Sequence, residues 1–268
     1  MIGLAKNGGV AAFFDLDGTL LRRPSLEQRF FRQLRYRRQI GFWNYAAWLR
    51  ECLQLLPGGM NRILQENKMY LRGVPDEQVA QRSWLAAIEF FGDGMKEMAW
   101  HVGKGHSIVL VSGTLEFLAL HAAEILTQRL AESGKTANIR VYATRLESKK
   151  GRWTGRIAGN AMIGREKEFA VRKVARELRV DLKHCYAYGD TIQDQWMLGV
   201  VGNAAVVNAS TELQAMARLR DWRVLQWKEN TSIRGKAARE RELEKMTSVK
   251  LDVTWKKDKG LASSENSR

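Results

Sequence analysis

Acidic residues, cysteine, histidine and long apolar runs are all scarce in this chain, and each shortage removes a class of protein. Two cysteines, Cys52 and Cys185, among 268 residues are too few for a disulfide framework and lack metal-ligand spacing. They exclude a cysteine-stapled scaffold and a structural zinc, and they point to a reducing compartment. The four histidines, His101, His106, His121 and His184, are scattered without ligand pairing and read as structural. No apolar stretch reaches the roughly 18 residues a spanning helix needs. The best, 42–56, is interrupted by Arg50 and Glu51, so a membrane-spanning helix is excluded. Only 29 Asp and Glu stand against 44 Lys and Arg, a net charge of +15. That balance favours an anionic partner: a phosphoester, a nucleic acid or an acidic membrane surface. The first residues carry one Lys and a short apolar run ending at Asp15, with no small-residue cleavage site, and the expected compartment is the cytoplasm.

What is present suffices for a sizeable core, since 45% of residues are hydrophobic, and the length suits one domain with an insertion. Short apolar runs at 10–14, 107–112, 141–144, 184–188, 204–208 and 223–226 read as buried strands. Helical patterns at 95–103, 116–131 and 166–178 separate several of them, which predicts an α/β fold: a Rossmann-like, doubly wound parallel sheet with ligands at the strands' carboxyl ends. The segment 146–157 reads as a hairpin turned at Lys150-Gly151, a flap near the site. Residues 22–92 break the alternation with three or four helical patterns, predicting an all-helical cap inserted into a core of 1–21 and 93–228. From 229 to 268 the composition turns polar and charged, predicting a solvated helix at 235–246 and then a disordered end.

The chemistry concentrates in Phe13-Phe14-Asp15-Leu16-Asp17-Gly18-Thr19-Leu20. In an extended strand, residues two apart lie on one side, so Asp15 and Asp17 can converge on a ligand beyond the strand end. Two such carboxylates suit a divalent cation or an acid/base pair; the blander reading is an acidic turn, for which Asp and Gly are good residues.

The motif resembles the first signature of the haloacid dehalogenase (HAD) superfamily, Asp-x-Asp-x-Thr after an apolar strand. Later segments match the remaining signatures in order: Ser112-Gly113 after Val109-Leu110-Val111, Lys167 near the start of a helix, and Gly189-Asp190 with Asp194 four residues on. The helical insertion and the 167-to-190 interval resemble the phosphoserine-phosphatase-like subfamily IB. This resemblance implies Mg²⁺ as cofactor and a phosphorylated small molecule as substrate. Asp15 would be the nucleophile and metal ligand. Asp17 would be the general acid/base, its backbone carbonyl completing the metal site. Asp190 would be a further ligand, Asp194 a partner standing behind the ligands or acting through water, and Ser112, Gly113 and Lys167 the phosphate binders. Fused acyltransferases of this family need a His followed by Asp five positions later, and none of the four histidines has one. Gly103-Lys104-Gly105 precedes a strand, so it is neither a dinucleotide fingerprint nor a P-loop.

Phosphoserine phosphatases read the substrate amine with a Glu nine residues after the nucleophile. Pro24 stands there in this chain, and the nearest acid is Glu27. The insertion instead interleaves Arg23, Arg29, Arg32, Arg35, Arg37 and Arg38 with Phe30, Phe31, Phe42, Trp43 and Trp48. The expectation is aromatics packed inside a helical bundle with arginines solvated. A basic surface for anionic lipid comes next, and nucleic acid is disfavoured because no binding motif accompanies the charge. Beside hydrolysis of a small metabolite stand a phospholipid head-group phosphatase at an anionic membrane and a basic anion-binding protein with little catalysis.

Overall fold

Every side chain of Ala11–Phe14 is buried, and this run forms β1 at the centre of a six-stranded sheet in the computed structural model. The structure describes residues 9–76 and 88–228. The chain divides into two units, 1–228 and 229–268, and all described residues belong to the first. The expected helix at 235–246 and the tail lie outside them.

The other sheet strands are β2 (Ser107–Leu115), β3 (Ile139–Thr144), β6 (Tyr186–Gly189), β7 (Asn203–Val207) and β8 (Arg223–Leu225), in the order β3-β2-β1-β6-β7-β8. All pairings are parallel, as the expected doubly wound α/β class requires. The chain runs from β1 outward to β2 and β3 on one side and then crosses to β6, β7 and β8 on the other, which opens a crevice at the carboxyl ends of β1 and β6. Alternation along β1 splits the core: Ala12 and Phe14 join one apolar cluster with Leu110, Leu118 and Met98. Ala11 and Phe13 join a second with Val109, Val171 and Leu213. Both faces are therefore dry, which is why these strands read as unbroken apolar runs.

The first face is covered by α4 (Gly92–Gly103) and α5 (Glu116–Glu132), the second by α6 (Arg165–Leu178), α7 (Gln195–Leu198) and α8 (Thr211–Leu219). Between β1 and β2 come α1 (Leu26–Tyr36), α2 (Phe42–Leu55) and α3 (Met60–Glu66), with no strand among the described residues of this stretch. A capping box starts α1: Ser25 accepts from the Gln28 amide while the Gln28 side chain accepts from the Ser25 amide. Leu26, Phe30, Leu34, Tyr70 and Leu71 continue the first core cluster into this insertion.

The expected bundle interior is only partly realised. Phe30, Phe31 and Trp48 pack inward, whereas Phe42 and Trp43 are 75% and 81% exposed. The hairpin is present as β4 (Leu146–Lys149) and β5 (Arg152–Ile157), with positive φ at Lys150 and Gly151. It is fastened to the insertion: the Gly73 amide donates to the Trp153 carbonyl at 2.8 Å and the Trp153 amide to the Val74 carbonyl at 3.0 Å. Buried Trp153 stacks on Phe117 with centroids 4.7 Å apart. Among the described residues no helix is long and apolar enough to cross a membrane.

Candidate active site

Parallel pairing of Phe14 with both Leu110 and Tyr188 brings the carboxyl ends of β2, β1 and β6 side by side. Asp15 and Asp190 follow β1 and β6, Ser112 lies near the end of β2, and the three share a pocket of about 610 Å³. Asp15 continues the Phe13 side of β1, toward α6, whose first turn carries Lys167. The buried Lys167 Nζ donates to Asp15 Oδ1 at 2.6 Å and to Asp194 Oδ1 at 2.5 Å. Thr19, the Thr of the first motif, donates its hydroxyl to Asp15 Oδ2 at 3.2 Å.

Asp194 braces the loop after β6. Its Oδ2 accepts from the amides of Asp190 and Thr191 at 3.1 and 2.9 Å and from the Thr191 hydroxyl at 3.1 Å. Carboxylate oxygens of Asp15, Asp190 and Asp194 lie within 4.8 Å of one another. Asp194 thus holds the Asp190 loop and Lys167 directly, with its own carboxylate beside those of Asp15 and Asp190. Arg23 reaches in from the insertion and donates to Asp190 Oδ2 at 3.0 Å, while buried Asp190 Oδ1 has no protein partner.

The electrostatics ask for a further cation. Burial, with the Asp194 and Asp190 charges behind it, pushes the Asp15 carboxyl well up, against the opposing Lys167 ammonium. Burial and Asp194 push Asp190 up to about 6. Burial opposes the charge of Lys167, but Asp15 and Asp194 prevail and hold it protonated. Three buried carboxylates against one buried ammonium and one rim guanidinium, with a carboxylate oxygen left unpartnered, form an oxygen donor set that fits a hard divalent cation.

Asp17 lies apart from that group. The chain turns directly after Asp15, with the Leu20 and Leu21 amides donating to the Leu16 carbonyl, and the strand geometry that would pair Asp15 with Asp17 stops there. The Asp17 carboxylate lines the same pocket, and its Oδ1 accepts from the Leu26 amide at 2.8 Å. Burial, only partly offset by that bond, pushes its carboxyl up to about 6.

Ser112 and Gly113 also line the pocket, but not as the start of a helix. Strand β2 runs on to Leu115, with a register irregularity between Ser112 and Leu115, and α5 begins only at Glu116. A bulged strand end therefore presents these two residues to the ligand. The Ser112 Oγ accepts from the Thr114 amide at 3.3 Å, which leaves its own proton for another acceptor.

Three residues of the pocket were not singled out from the sequence for these contacts. Arg23 is one of many arginines there, and nothing local marks it as the partner of Asp190. Glu27 accepts from Lys68 Nζ at 2.6 and 2.8 Å and from the Tyr70 hydroxyl at 2.7 Å. Lys68 is buried in the pocket wall, more than forty positions from its partner.

The haloacid dehalogenase-like hydrolase profile matches residues 12–199 of this chain, which holds every residue of the site. Phosphoserine phosphatase SerB1 of Mycobacterium tuberculosis is 30% identical over 237 residues, covering 80% of this chain and 70% of that protein. A protein of unknown function from Bordetella pertussis has a similar fold, with a TM-score of 0.64 at 21% identity over 82% of this chain and 99% of the other. A structure described as a phospho-aspartyl intermediate analogue of phosphoserine phosphatase has a TM-score of 0.57 at 18% identity, covering 86% and 99% of the two chains. With the family profile covering the site and SerB1 similar over most of its length, this chain belongs to the haloacid dehalogenase-like hydrolases and is a phosphatase of their phosphoserine-phosphatase-like branch.

Proposed function

We propose that this phosphatase hydrolyses small phosphomonoesters through a covalent aspartyl-phosphate on Asp15, with Mg²⁺ as its cation. The observation that carries this reading is the set of buried carboxylates gathered around Lys167, with Asp190 Oδ1 unpartnered. Asp15, Asp190 and the Asp17 backbone carbonyl would hold Mg²⁺, which supplies neutralisation of the phosphoryl charge.

The chain's own groups carry the proton and phosphoryl transfers. Lys167, fixed between Asp15 and Asp194, offers its ammonium to a phosphoryl oxygen, and the Ser112 hydroxyl and Gly113 line the same space. An Asp15 carboxylate oxygen attacks phosphorus as the ester P–O bond breaks, and Asp17 gives its proton to the departing oxygen. Water then attacks the phosphorus, Asp17 takes its proton, and the bond to Asp15 breaks to release phosphate. A carboxyl raised to about 6 keeps a minor protonated fraction near neutrality, which suits a group that must give and retake a proton.

Residues 22–92 serve as the cap: Arg23, Ser25, Glu27, Gln28, Gln65 and Lys68 form the wall facing Asp15. Glu27 is already engaged by Lys68 and Tyr70, so it offers no open carboxylate to a substrate ammonium. That supports a phosphorylated metabolite other than phosphoserine. Cys52 and Cys185 are both free thiols, in keeping with the cytoplasm. In the decisive experiment, Asp15→Asn is expected to lose roughly 10⁴-fold or more of aryl phosphate turnover while keeping its fold. Chelation should silence the wild type and added Mg²⁺ restore it. Wild-type turnover in the Asn variant overturns the assignment.

A further inference from the structure

Helix α2 turns an apolar stripe outward, although its Trp48 packs inward. Its polar contacts point inward: Asn44 Nδ2 donates to the carbonyls of Tyr70 at 3.1 Å and Arg72 at 2.7 Å. The Trp48 carbonyl and Cys52 Sγ both accept from Asn67 Nδ2, at 2.8 and 3.3 Å. At steps of three and four along the other side stand Phe42, Ala46, Leu49 and Leu53, and Leu56 and Met60 continue the interval past the helix end. Leu49 is 59% exposed and Leu53 67%, and no residue of α2 is fully buried. Surface helices ordinarily turn such a stripe inward, and a contiguous exposed one marks an interaction site.

The charge around the stripe is mostly positive, with Glu51 the one acid of α2. From 28 to 50 the chain has no acidic residue and six arginines. Among the described residues Arg35, Arg38, Arg50 and Arg72 form no ion pair. Arg50 and Arg72 line one surface hollow with Trp43 and Ala46. A second copy of this chain is a poor occupant, because a twofold contact brings the same patch against itself and sets arginine against arginine in a protein of net charge +15. Nucleic acid would engage the arginines and Trp43 but leaves Leu49 and Leu53 without use.

We propose that α2 docks on an anionic membrane surface, with Phe42, Trp43, Leu49 and Leu53 entering the headgroup boundary and Arg38, Arg50 and Arg72 meeting lipid phosphates. The groove between α1 and α2, walled by Arg32, Arg35, Tyr45 and Trp48, also reaches Ser25, Glu27 and Gln28 of the catalytic pocket. The docked face is thereby continuous with the site, although the docking itself does not depend on the reaction proposed there.

The test is co-sedimentation of the full chain with vesicles of phosphatidylcholine alone or containing about 30% phosphatidylserine, at about 50 mM salt. Wild type is expected to pellet with the anionic vesicles and stay in solution with the neutral ones. Leu49→Ser with Leu53→Ser, and separately Arg38→Glu with Arg50→Glu, should each lower partitioning at least ~10-fold. Both pairs should keep the wild-type circular dichroism and aryl phosphate turnover within about twofold. Wild type remaining in the supernatant with anionic vesicles, or both variant pairs pelleting like wild type, overturns the proposal. So does a wild-type dimer that the Leu49→Ser, Leu53→Ser pair dissociates, which would give the face to a second copy. Retention of an acidic protein on α2 without vesicle binding would overturn it equally.

Discussion

At Gly18 a hydrogen in place of a methyl group keeps Asp190 in the site. Its φ is +98°, and a Cβ there would sit 2.1 Å from Asp190 Oδ2, so both the backbone and the neighbour refuse a side chain. Gly18→Ala is expected to cost about 1–3 kcal/mol of stability. It should also lower turnover by roughly 10²-fold, because it displaces a carboxylate of the cation site. Denaturant melts and steady-state kinetics on the same preparation measure the two effects. Behind the sheet, against Phe14 and Tyr188, His101 is wholly buried and burial depresses its basicity to about 3, with His106 adding to the effect. The Tyr188 hydroxyl donates to Glu97 Oε1 at 2.6 Å, so at 2.9 Å its oxygen accepts from His101 Nε2–H, and Nδ1 faces His106 at 2.8 Å. The folded state thus binds fewer protons than the unfolded chain between about pH 6.5 and 3, and His101 takes stability away as pH falls through that window. Wild type should lose about 1–2 kcal/mol more than His101→Gln between pH 7.5 and 5 in urea titrations. Identical losses in the two proteins would refute this linkage.

Among the elements, the β4–β5 hairpin acts as a strut. Trp153 is 5% exposed, packs between Phe117 and Phe30, and shares two backbone hydrogen bonds with Gly73 and Val74. Trp153→Ala should cost about 3–5 kcal/mol and make 146–157 the first segment cleaved in limited proteolysis. How far the sequence reveals each element follows from its surroundings. Strand β1 was legible because both sheet faces are dry, so all four of its residues had to be apolar. The end of β2 was not: Gly113-Thr114 looks like a loop signal, yet Ile163 crowds the position where a Gly113 Cβ would stand, at 2.9 Å, and the strand bulges past it. The four-residue step from Asp190 to Asp194 was plain in the sequence, but the direct bond from Lys167 depended on how α6 lies against the sheet. In α2, apolar residues surround the whole helix, and periodicity cannot tell which side meets protein. For Asp17, period-two geometry holds only while the strand lasts and the chain turns at Leu16, yet its carboxylate lines the same pocket as Asp15.

On the scale of the whole molecule, one cation should stiffen the fold. Binding to the carboxylate group relieves repulsion that the native state otherwise carries, and the unfolded chain has no such site. Mg²⁺ at about 100 times its dissociation constant should add roughly 2.7 kcal/mol and raise Tm by about 5–10 °C. In Asp190→Asn the rise should shrink to a fraction of that. Scanning calorimetry with and without chelator decides it, and equal shifts in both proteins would remove Asp190 from the cation site. The parallel sheet has one more consequence, in the order of synthesis. Strand β1 leaves the ribosome well before its neighbour β6, which lies some 174 positions later, the separation that the bond between the Ala11 amide and Cys185 spans. At about 5–20 residues per second, that is roughly ten seconds or more during which one side of Ala-Ala-Phe-Phe has no partner strand. Asp15 likewise waits for Lys167, 152 positions on, and for Asp190 beyond it. The catalytic centre therefore forms only once β6 has been made, and a chain interrupted before it exposes an adhesive strand edge rather than a weakened enzyme.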